Sequence, residues 1–287
     1  MKKMNILVNR KEMEHLDFPD CWEEVAPEEW RRALWLRSRL MEGKGITLAD
    51  VRMDWCAWVL QNRGLKKSKD EFWLLVHRLA DTLDWMWHTE QTDEGTCISL
   101  TFNSTVNLFP EVAGLIGPAS HGADLTFGEF RAAAAAMSLY DKYHSENDLL
   151  ALCASLYRPA SGGKGRPVRV PFDTDRLPEF MRSASAIEPY LRWGIYAWFA
   201  YFCHYLYTGT FLMDGQEVCF APIFARAPST DEGQSDGIGL NSILYSVAES
   251  GVFGTASDIE HTPVLRVMLK LLYDKQQIDR LSKRNKK

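Results

Sequence analysis

Apolar residues recur at helical spacing along most of this chain, and that pattern predicts a mainly α-helical protein. Pro27, followed by two glutamates, begins a predicted helix over 27–41. Thr47 caps a second helix, and Ser68 begins a third, over 68–86, with a capping box. The second helix carries a single apolar stripe formed by Val51, Trp55, Trp58 and Val59.

The period changes to two in two places, which predicts two small β-hairpins. Residues 97–102 alternate between apolar and polar, and a second alternating run over 105–109 follows them. An Asp-Gly pair at 214–215, typical of a tight type I′ turn, separates the apolar runs 211–213 and 218–220. The expected fold class is therefore mainly α, with helical domains and two small β-hairpins.

Further helices are predicted in the second half of the chain. Thr126 and Glu129 form a capping box for one that runs to about residue 143 and contains five consecutive alanines. Asn147 is the predicted cap of the next. Residues 159–183 hold four prolines, three glycines and five Lys or Arg residues, and are predicted to form a long basic loop. Helices over 187–207, after 237 and from 262 onward complete the pattern.

Tryptophan is concentrated near the start of the chain, since eight of the ten lie within the first 90 residues. Residues 110–123 contain prolines and glycines with little periodicity and therefore read as a connection. We expect two regions. Residues 1–118 form a Trp-rich, mostly helical region with a small hairpin, and residues 119–287 form a helical region that contains the basic loop.

Composition limits the classes of function. Among 287 residues, 46% are hydrophobic and the formal net charge is −5, so the surface as a whole is not built for nucleic acid. Any basic site is local, either in the loop 159–183 or among the cations that follow residue 279. Cations at the end of a helix are expected from its dipole alone. Nucleic acid is therefore an unfavoured partner.

The cysteines and the most apolar stretch indicate the compartment. Six widely spaced cysteines form no Cys-x-x-Cys pair, and each lies among neighbours typical of a buried free thiol. A reducing cytoplasm is expected. The stretch 193–213 is uncharged but contains His204 and many aromatic residues, so we expect a buried helix and no membrane span.

Familiar catalytic and metal-binding patterns are missing from the sequence. Gly163-Lys164 lacks the upstream glycine of a phosphate-binding loop, and the seven histidines never form His-Glu-x-x-His. Cys203 and His204 are adjacent, but neighbours on a helix point about 100° apart and cannot share a proton. The sequence predicts no enzyme, no cofactor and no metal.

Several short motifs resemble tail assembly proteins of tailed phages and prophages. They are Leu-Thr-Phe-Gly-Glu-Phe-Arg at 125–131, a tyrosine pair at 140 and 143, Leu-Cys-Ala-Ser-Leu-Tyr-Arg-Pro at 152–159, and the ending from 237 through Ala-Glu-Ser-Gly-Val-Phe-Gly at 248–254 to a basic terminus. The likeness covers about 124–160 and 187–287. It implies a tail assembly chaperone, which binds the tape measure protein before the tube closes and has no catalytic residues.

Three hypotheses follow from these observations. The first is an assembly chaperone or adaptor that binds the tape measure protein or another tail protein, the second is a tail or baseplate subunit retained in the virion, and the third is a nucleic-acid-binding protein that uses the basic loop and terminus. The oligomeric state stays open, a homo-oligomer included. The candidate partner-binding residues are aromatic or basic: Trp55, Trp58, Trp193, Trp198, Lys164, Arg166, Arg169, Lys283 and Arg284.

Overall fold

The structure is a computed structural model, and it describes residues 2–8, 12–43, 45–65, 69–92, 95–162, 168–224 and 240–285. Within these residues the protein is mainly α, with small antiparallel sheets. The chain forms two compact units. Unit 1 comprises Met1–Leu108 and Glu188–Trp198, and unit 2 comprises Phe109–Ile187 and Phe199–Lys287. Unit 1 therefore takes one segment from within the region 119–287.

The described residues of unit 1 form three α-helices, the first part of the helix Pro189–Thr208 and two hairpins. Its elements are β1 Lys2–Val8, β2 Glu12–Phe18, α1 Pro27–Met41, α2 Leu48–Asn62, α3 Lys69–Ala80, β3 Trp87–Thr92 and β4 Gly95–Leu100. Strand β1 pairs with β2 from Lys2 opposite Phe18, and β3 pairs with β4 from Trp87 opposite Leu100. Thr47 caps α2 as predicted, because its hydroxyl accepts from the backbone N–H of Asp50.

Unit 2 contains most of the remaining helices around a small sheet. Its elements are β5 Glu111–Val112, β6 Leu115–Ile116, α4 Phe127–Tyr143, α5 Glu146–Leu156, β7 Arg158–Ser161, β8 Val168–Arg169, α6 Leu177–Ala184, β9 Thr210–Met213, β10 Gln216–Cys219, α8 Ala221–Phe224, α9 Leu240–Glu249, α10 Ala256–Glu260 and α11 Val264–Asn285; α7, Pro189–Thr208, belongs to both units. Strands β5 to β8 form one antiparallel sheet in chain order.

Aromatic side chains fill the core of unit 1. Trp22 is fully buried and packs edge-on against Trp30 and Trp85, with ring centroids 4.6 Å and 5.0 Å away. Phe102 lies 4.8 Å from the Trp30 ring. Buried aromatic pairs contribute stability beyond the area they bury. The tryptophan excess of the sequence therefore serves largely as core.

The core of unit 2 lies between α4 and α7. Phe130 on α4 packs against Phe199 and Phe202 on α7, with ring centroids 6.0 Å and 6.4 Å apart, and all three are fully buried. The capping box at Thr126 and Glu129 is confirmed, since the Thr126 hydroxyl accepts from the Glu129 backbone N–H and the Glu129 carboxylate accepts from Thr126.

The structure corrects the first predicted hairpin and the helix before it. Helix α3 ends at Ala80, before the predicted end at residue 86, and the strand that pairs with β4 is β3, which starts at Trp87. The strand buries only its first residue, so no alternation marks it in the sequence. Residues 105–109 form no strand. The predicted cap at Ser68 lies outside the described residues.

The predicted loop 159–183 is also corrected, because it contains the strands β7 and β8 and the helix α6. The cap of α5 is Ser145 rather than Asn147, since the Ser145 hydroxyl accepts from the Asn147 backbone N–H. The second predicted hairpin is confirmed. Strands β9 and β10 meet at Asp214 and Gly215, whose φ angles of 50° and 77° suit a type I′ turn.

Candidate functional site

The densest group of charged side chains in the described structure is buried in unit 2. Glu129 lies on the first turn of α4, Arg158 begins β7, and Arg169 ends β8. Arg158 is fully buried, and Glu129 and Arg169 are 2% and 6% exposed. The half-exposed carboxylate of Asp124 lies at the edge of the group. These four residues are called the Glu129 cluster below.

The geometry of the Glu129 cluster is bidentate. Arg169 donates from Nε to Glu129 Oε1 at 2.8 Å and from Nη2 to Oε2 at 2.9 Å. Its Nη1 donates to Asp124 Oδ2 at 2.7 Å. Arg158 donates from Nη2 to Glu129 Oε1, from Nε to the Val170 carbonyl at 2.7 Å, and from Nη1 to the Ser155 carbonyl. All three nitrogens of both guanidinium groups thus have protein acceptors.

Electrostatics keep the Glu129 carboxylate ionised. Burial by itself would raise its pKa, but the hydrogen bond from Arg169 and the charges of both arginines outweigh burial and hold the pKa below its usual range. Removing one partner of such a group leaves an uncompensated buried charge. Since protein acceptors already occupy the donors, the cluster fastens α4 to the sheet and is a structural centre rather than a ligand site.

Sequence reasoning identified Glu129 only as a helix cap and missed its two arginines. Arg169 lies between two valines, and strand alternation would normally direct the valines inward. The structure has the reverse arrangement, because Val168 is 63% exposed while Arg169 is buried. Only the carboxylate contributed by a distant helix makes burial of the arginine favourable. The residues around a helix-capping glutamate do not indicate that it also pairs with an arginine that is distant in the sequence.

Unit 1 contains a similar pairing of a buried helix-capping glutamate with an arginine. Glu29 on the first turn of α1 is 2% exposed and accepts the Ala26 backbone N–H at 2.9 Å. Arg63, which follows α2, donates to it from Nε at 2.7 Å and from Nη2 at 2.8 Å. Arg63 Nη1 also donates to the Asp17 carbonyl at 2.7 Å. In each unit, one helix-capping glutamate also binds an arginine from a later element.

Cys203 and His204, which are adjacent in the sequence, lie in different environments. Cys203 is buried and its pKa is raised by burial, whereas the next residue, His204, is exposed. Cys56 and Cys153 are buried as expected, but Cys97 is exposed on β4, which corrects the expectation of six buried thiols. The exposure of Cys97 follows from its position on a hairpin that is largely solvent-facing.

Only one group of side chains in the described part of the chain has its potential metal ligands close together. The ligand atoms of Asp20, Cys21 and Glu24 lie within 4.8 Å of one another. Burial and a hydrogen bond with Glu23 raise the pKa of the Cys21 thiol, which disfavours the thiolate that binds metals.

An open apolar groove crosses the surface of unit 2. It has a volume of about 620 Å³, and eight of its twelve lining residues are alanine or leucine. The alanine run of α4 forms its floor, with Ala135 and Leu139 exposed to solvent. Ala151 of α5, Leu177 of α6 and Leu240 of α9 line its sides. Small side chains on the floor let another backbone approach closely. The groove has the form that accepts an amphipathic helix.

The structure places the sequence-predicted site residues in different environments. Trp55 and Trp198 are buried, and their Nε1 atoms donate to the carbonyls of Glu29 at 2.9 Å and Thr105 at 3.1 Å. Neither tryptophan therefore presents a surface to a partner, which corrects their selection as surface candidates. Their burial follows from the hydrogen bond that satisfies each indole within the core.

The other candidates divide by exposure. Trp58 and Trp193 are half-buried, and the Arg37 guanidinium lies 3.5 Å from the Trp193 ring. Arg169 belongs to the Glu129 cluster, so its charge is not available to a phosphate or a partner. Lys283 and Arg284 are exposed on the last turn of α11. Lys164 and Arg166 lie outside the described residues. The structure does not bring these candidates together into one site.

Comparison with known proteins adds no relative to this description. None of the helices within the described ranges combines the length and the apolar character that crossing a bilayer requires. No protein family, no curated protein and no solved structure matches the chain.

Proposed function

We propose that this protein is a non-enzymatic binding protein of phage or prophage tail morphogenesis, an assembly chaperone or adaptor that holds an apolar helical segment of the tape measure protein in the host cytoplasm. The observation that carries the proposal is the alanine-floored groove on unit 2. The motif resemblance at 125–131 and 152–159 supports it, because both segments belong to the helices that form the groove or lead into it.

The chemistry of the groove suits such a client. A tape measure protein is long, largely helical and striped with apolar residues, so it aggregates when left uncovered. An apolar groove holds a segment of that kind through buried area and shape, without a reactive group. Asp148 and Thr174 at its margin offer polar contacts to the solvent-facing side of the bound helix.

Co-expression tests the proposal. The tagged full chain is produced together with the product of the long reading frame encoded downstream, and the complex is captured on the tag. Ala135→Glu and Leu139→Glu place a charge in the groove and are expected to reduce capture at least about tenfold, because an unpaired charge would be buried against the client. Both positions are exposed, so both variants should fold.

The matched control is Leu212→Glu, which adds the same charge at a leucine that is 76% exposed on β9 and lies outside the groove. It should capture the client as the unmodified chain does. Absence of a complex, or equal capture by the groove variants and the unmodified chain, would contradict the proposal. Mass spectrometry of purified particles separates a chaperone, absent from the virion, from a tail or baseplate subunit, which remains there.

A further inference from the structure

The second half of α11 carries apolar side chains that the described residues leave exposed. In the first half, Val264 and Val267 are fully buried in unit 2. In the second half, Ile278 and Leu281 are each 58% exposed, and every residue from 278 to 284 is exposed. The helix therefore changes from a packed element to a solvent-exposed one without ending.

The apolar stripe keeps one register across this change. Positions 264, 267, 271, 274, 278 and 281 follow steps of three and four residues in alternation, which is the spacing of a coiled-coil seam. Five of the six positions are Val, Leu or Ile. The exception, Asp274, pairs with Lys270 of the same helix at 2.5 Å. Residues of the unit cover the first part of the seam, and Ile278 and Leu281 continue it beyond them.

The helix turn that carries the exposed part of the seam is positively charged. Earlier in α11, Lys275 pairs with Asp279 at 3.3 Å. Arg280, Lys283 and Arg284 have no ion-pair partner among the described residues and no acidic neighbour between 280 and 285. A helix end attracts cations by its dipole. By helical spacing, Arg284 lies at the edge of the seam, whereas Arg280 and Lys283 lie further round the helix but within about a Debye length of it. Their positive charge also determines which helix can cover the seam.

We propose that residues 278–284 of α11 dock an amphipathic helix of a partner protein that presents an apolar stripe flanked by glutamate or aspartate. The seam supplies the apolar contact and the three cations supply the charge preference. A second copy of this chain fits poorly. Pairing over this short segment gathers the same cations in either orientation, and like charges oppose association. This inference is independent of the groove on α4.

A designed peptide pair tests the docking surface. The probe is a fluorescent peptide of about four heptads with leucine on the seam and glutamate beside it, and the control peptide has lysine in place of each glutamate. Anisotropy with the full chain is expected to show binding of the glutamate peptide only, weakening as salt is added. Lys283→Glu combined with Arg284→Glu should reverse the preference.

Removing the seam should remove the binding. Ile278→Ser combined with Leu281→Ser is expected to weaken binding of the glutamate peptide at least about tenfold, because the apolar contact is lost. Val252→Ser, at a valine that is also 58% exposed but lies outside α11, is the matched control and should leave it unchanged. Circular dichroism should show equal helix content in all variants, since the changed residues are exposed.

Three results would overturn the inference. They are equal binding of the two peptides, undiminished binding by the seam variant, and sedimentation that shows a dimer of the full chain abolished by Ile278→Ser with Leu281→Ser. The last result would assign the seam to a second copy. Loss of tape measure capture by the groove variants has no bearing on these outcomes, so the two proposals fail separately.

Discussion

Glu129 illustrates how one residue serves two levels of structure. Its carboxylate accepts the Thr126 backbone N–H at 2.7 Å, which completes the capping box of α4. The same carboxylate balances Arg158 and Arg169, which reach it from β7 and β8. A buried carboxylate and two buried guanidinium groups are stable only together. The local role could be read from the sequence, and the long-range role could not.

Replacing Glu129 tests this account. Glu129→Gln leaves two buried arginines without their shared counter-charge, so we expect unfolding free energy to fall by about 3–5 kcal/mol. Denaturant unfolding followed by circular dichroism measures the change. Glu179→Gln removes a carboxylate from the exposed pair with Arg176 and should change stability little. Similar effects from the two substitutions would show that the Glu129 cluster is not a structural centre.

The pH dependence of stability follows from the lowered pKa of Glu129. Because the folded state holds its pKa below the unfolded value of about 4.3, the carboxylate contributes stability above that pH. The contribution is lost as pH falls through the folded pKa. The stability difference between the natural chain and Glu129→Gln should therefore shrink between pH 7 and strongly acidic pH, measured by unfolding at a series of pH values. A difference that stays constant would argue against the assignment.

At the scale of elements, a close approach between two helices in unit 1 depends on a glycine. Gly194 on α7 faces Leu34 on α1, and a Cβ at this glycine would lie closer than 3.0 Å to the Leu34 Cδ1 atom. Leu34 is 1% exposed, so it has little room to move. Helix α7 therefore contains a glycine because of packing, although glycine weakens a helix by about 1 kcal/mol relative to alanine.

Gly194→Ala should reverse the usual effect of that substitution. On an open helix face alanine stabilises, but here we expect a loss of about 1–3 kcal/mol from overpacking against Leu34. Thermal unfolding measures it. Leu34→Val provides the compensating change, since it removes part of the obstructing side chain, and the double variant should lose less than the sum of the two single variants. A stabilised Gly194→Ala variant would contradict this packing.

Elements also differ in how well the residues close to them in the sequence predict them. Thr47, Thr126 and the Asp214-Gly215 turn acted as predicted, because caps and tight turns are hydrogen-bonded within a few residues. Strand β3 escaped prediction because its residues after Trp87 are exposed and carry no alternation. Residues 105–109 alternate but form no strand, and the Thr105 carbonyl accepts a hydrogen bond from the Trp198 indole instead.

In the molecule as a whole, some apolar residues are buried in the cores and others are exposed on the surface. Two of the four tryptophans predicted as partner candidates, Trp55 and Trp198, fill cores, whereas the groove on α4 and the distal end of α11 leave alanine, leucine and isoleucine exposed. Larger exposed apolar areas on soluble proteins mark sites of interaction. Both proposed binding surfaces belong to unit 2, whereas most of the tryptophans belong to unit 1.

Thiol reactivity tests which cysteines are buried and which are exposed. With a thiol reagent in native buffer, Cys97 should react first, because among the cysteines of the described residues it is the one that is exposed. Burial raises the pKa of Cys56 and Cys203, so these should react only after unfolding, when all six become available. Cys97→Ser should remove the fast phase. Loss of the fast phase in Cys56→Ser instead would contradict the burial of Cys56 on α2.

The sequence alone determined the helical character, the main caps, the Asp-Gly hairpin and the lack of familiar catalytic motifs. Each of these depends on residues close together in the chain, where spacing and side-chain type suffice. Tertiary structure decided the rest. It buries Arg169 and exposes the neighbouring Val168, places Glu188–Trp198 in unit 1 and leaves Ile278 exposed. These outcomes depend on contacts between residues that are distant in the sequence, such as Trp198 and Thr105, which are 93 positions apart. The pattern of neighbouring residues does not predict the free energy of such contacts.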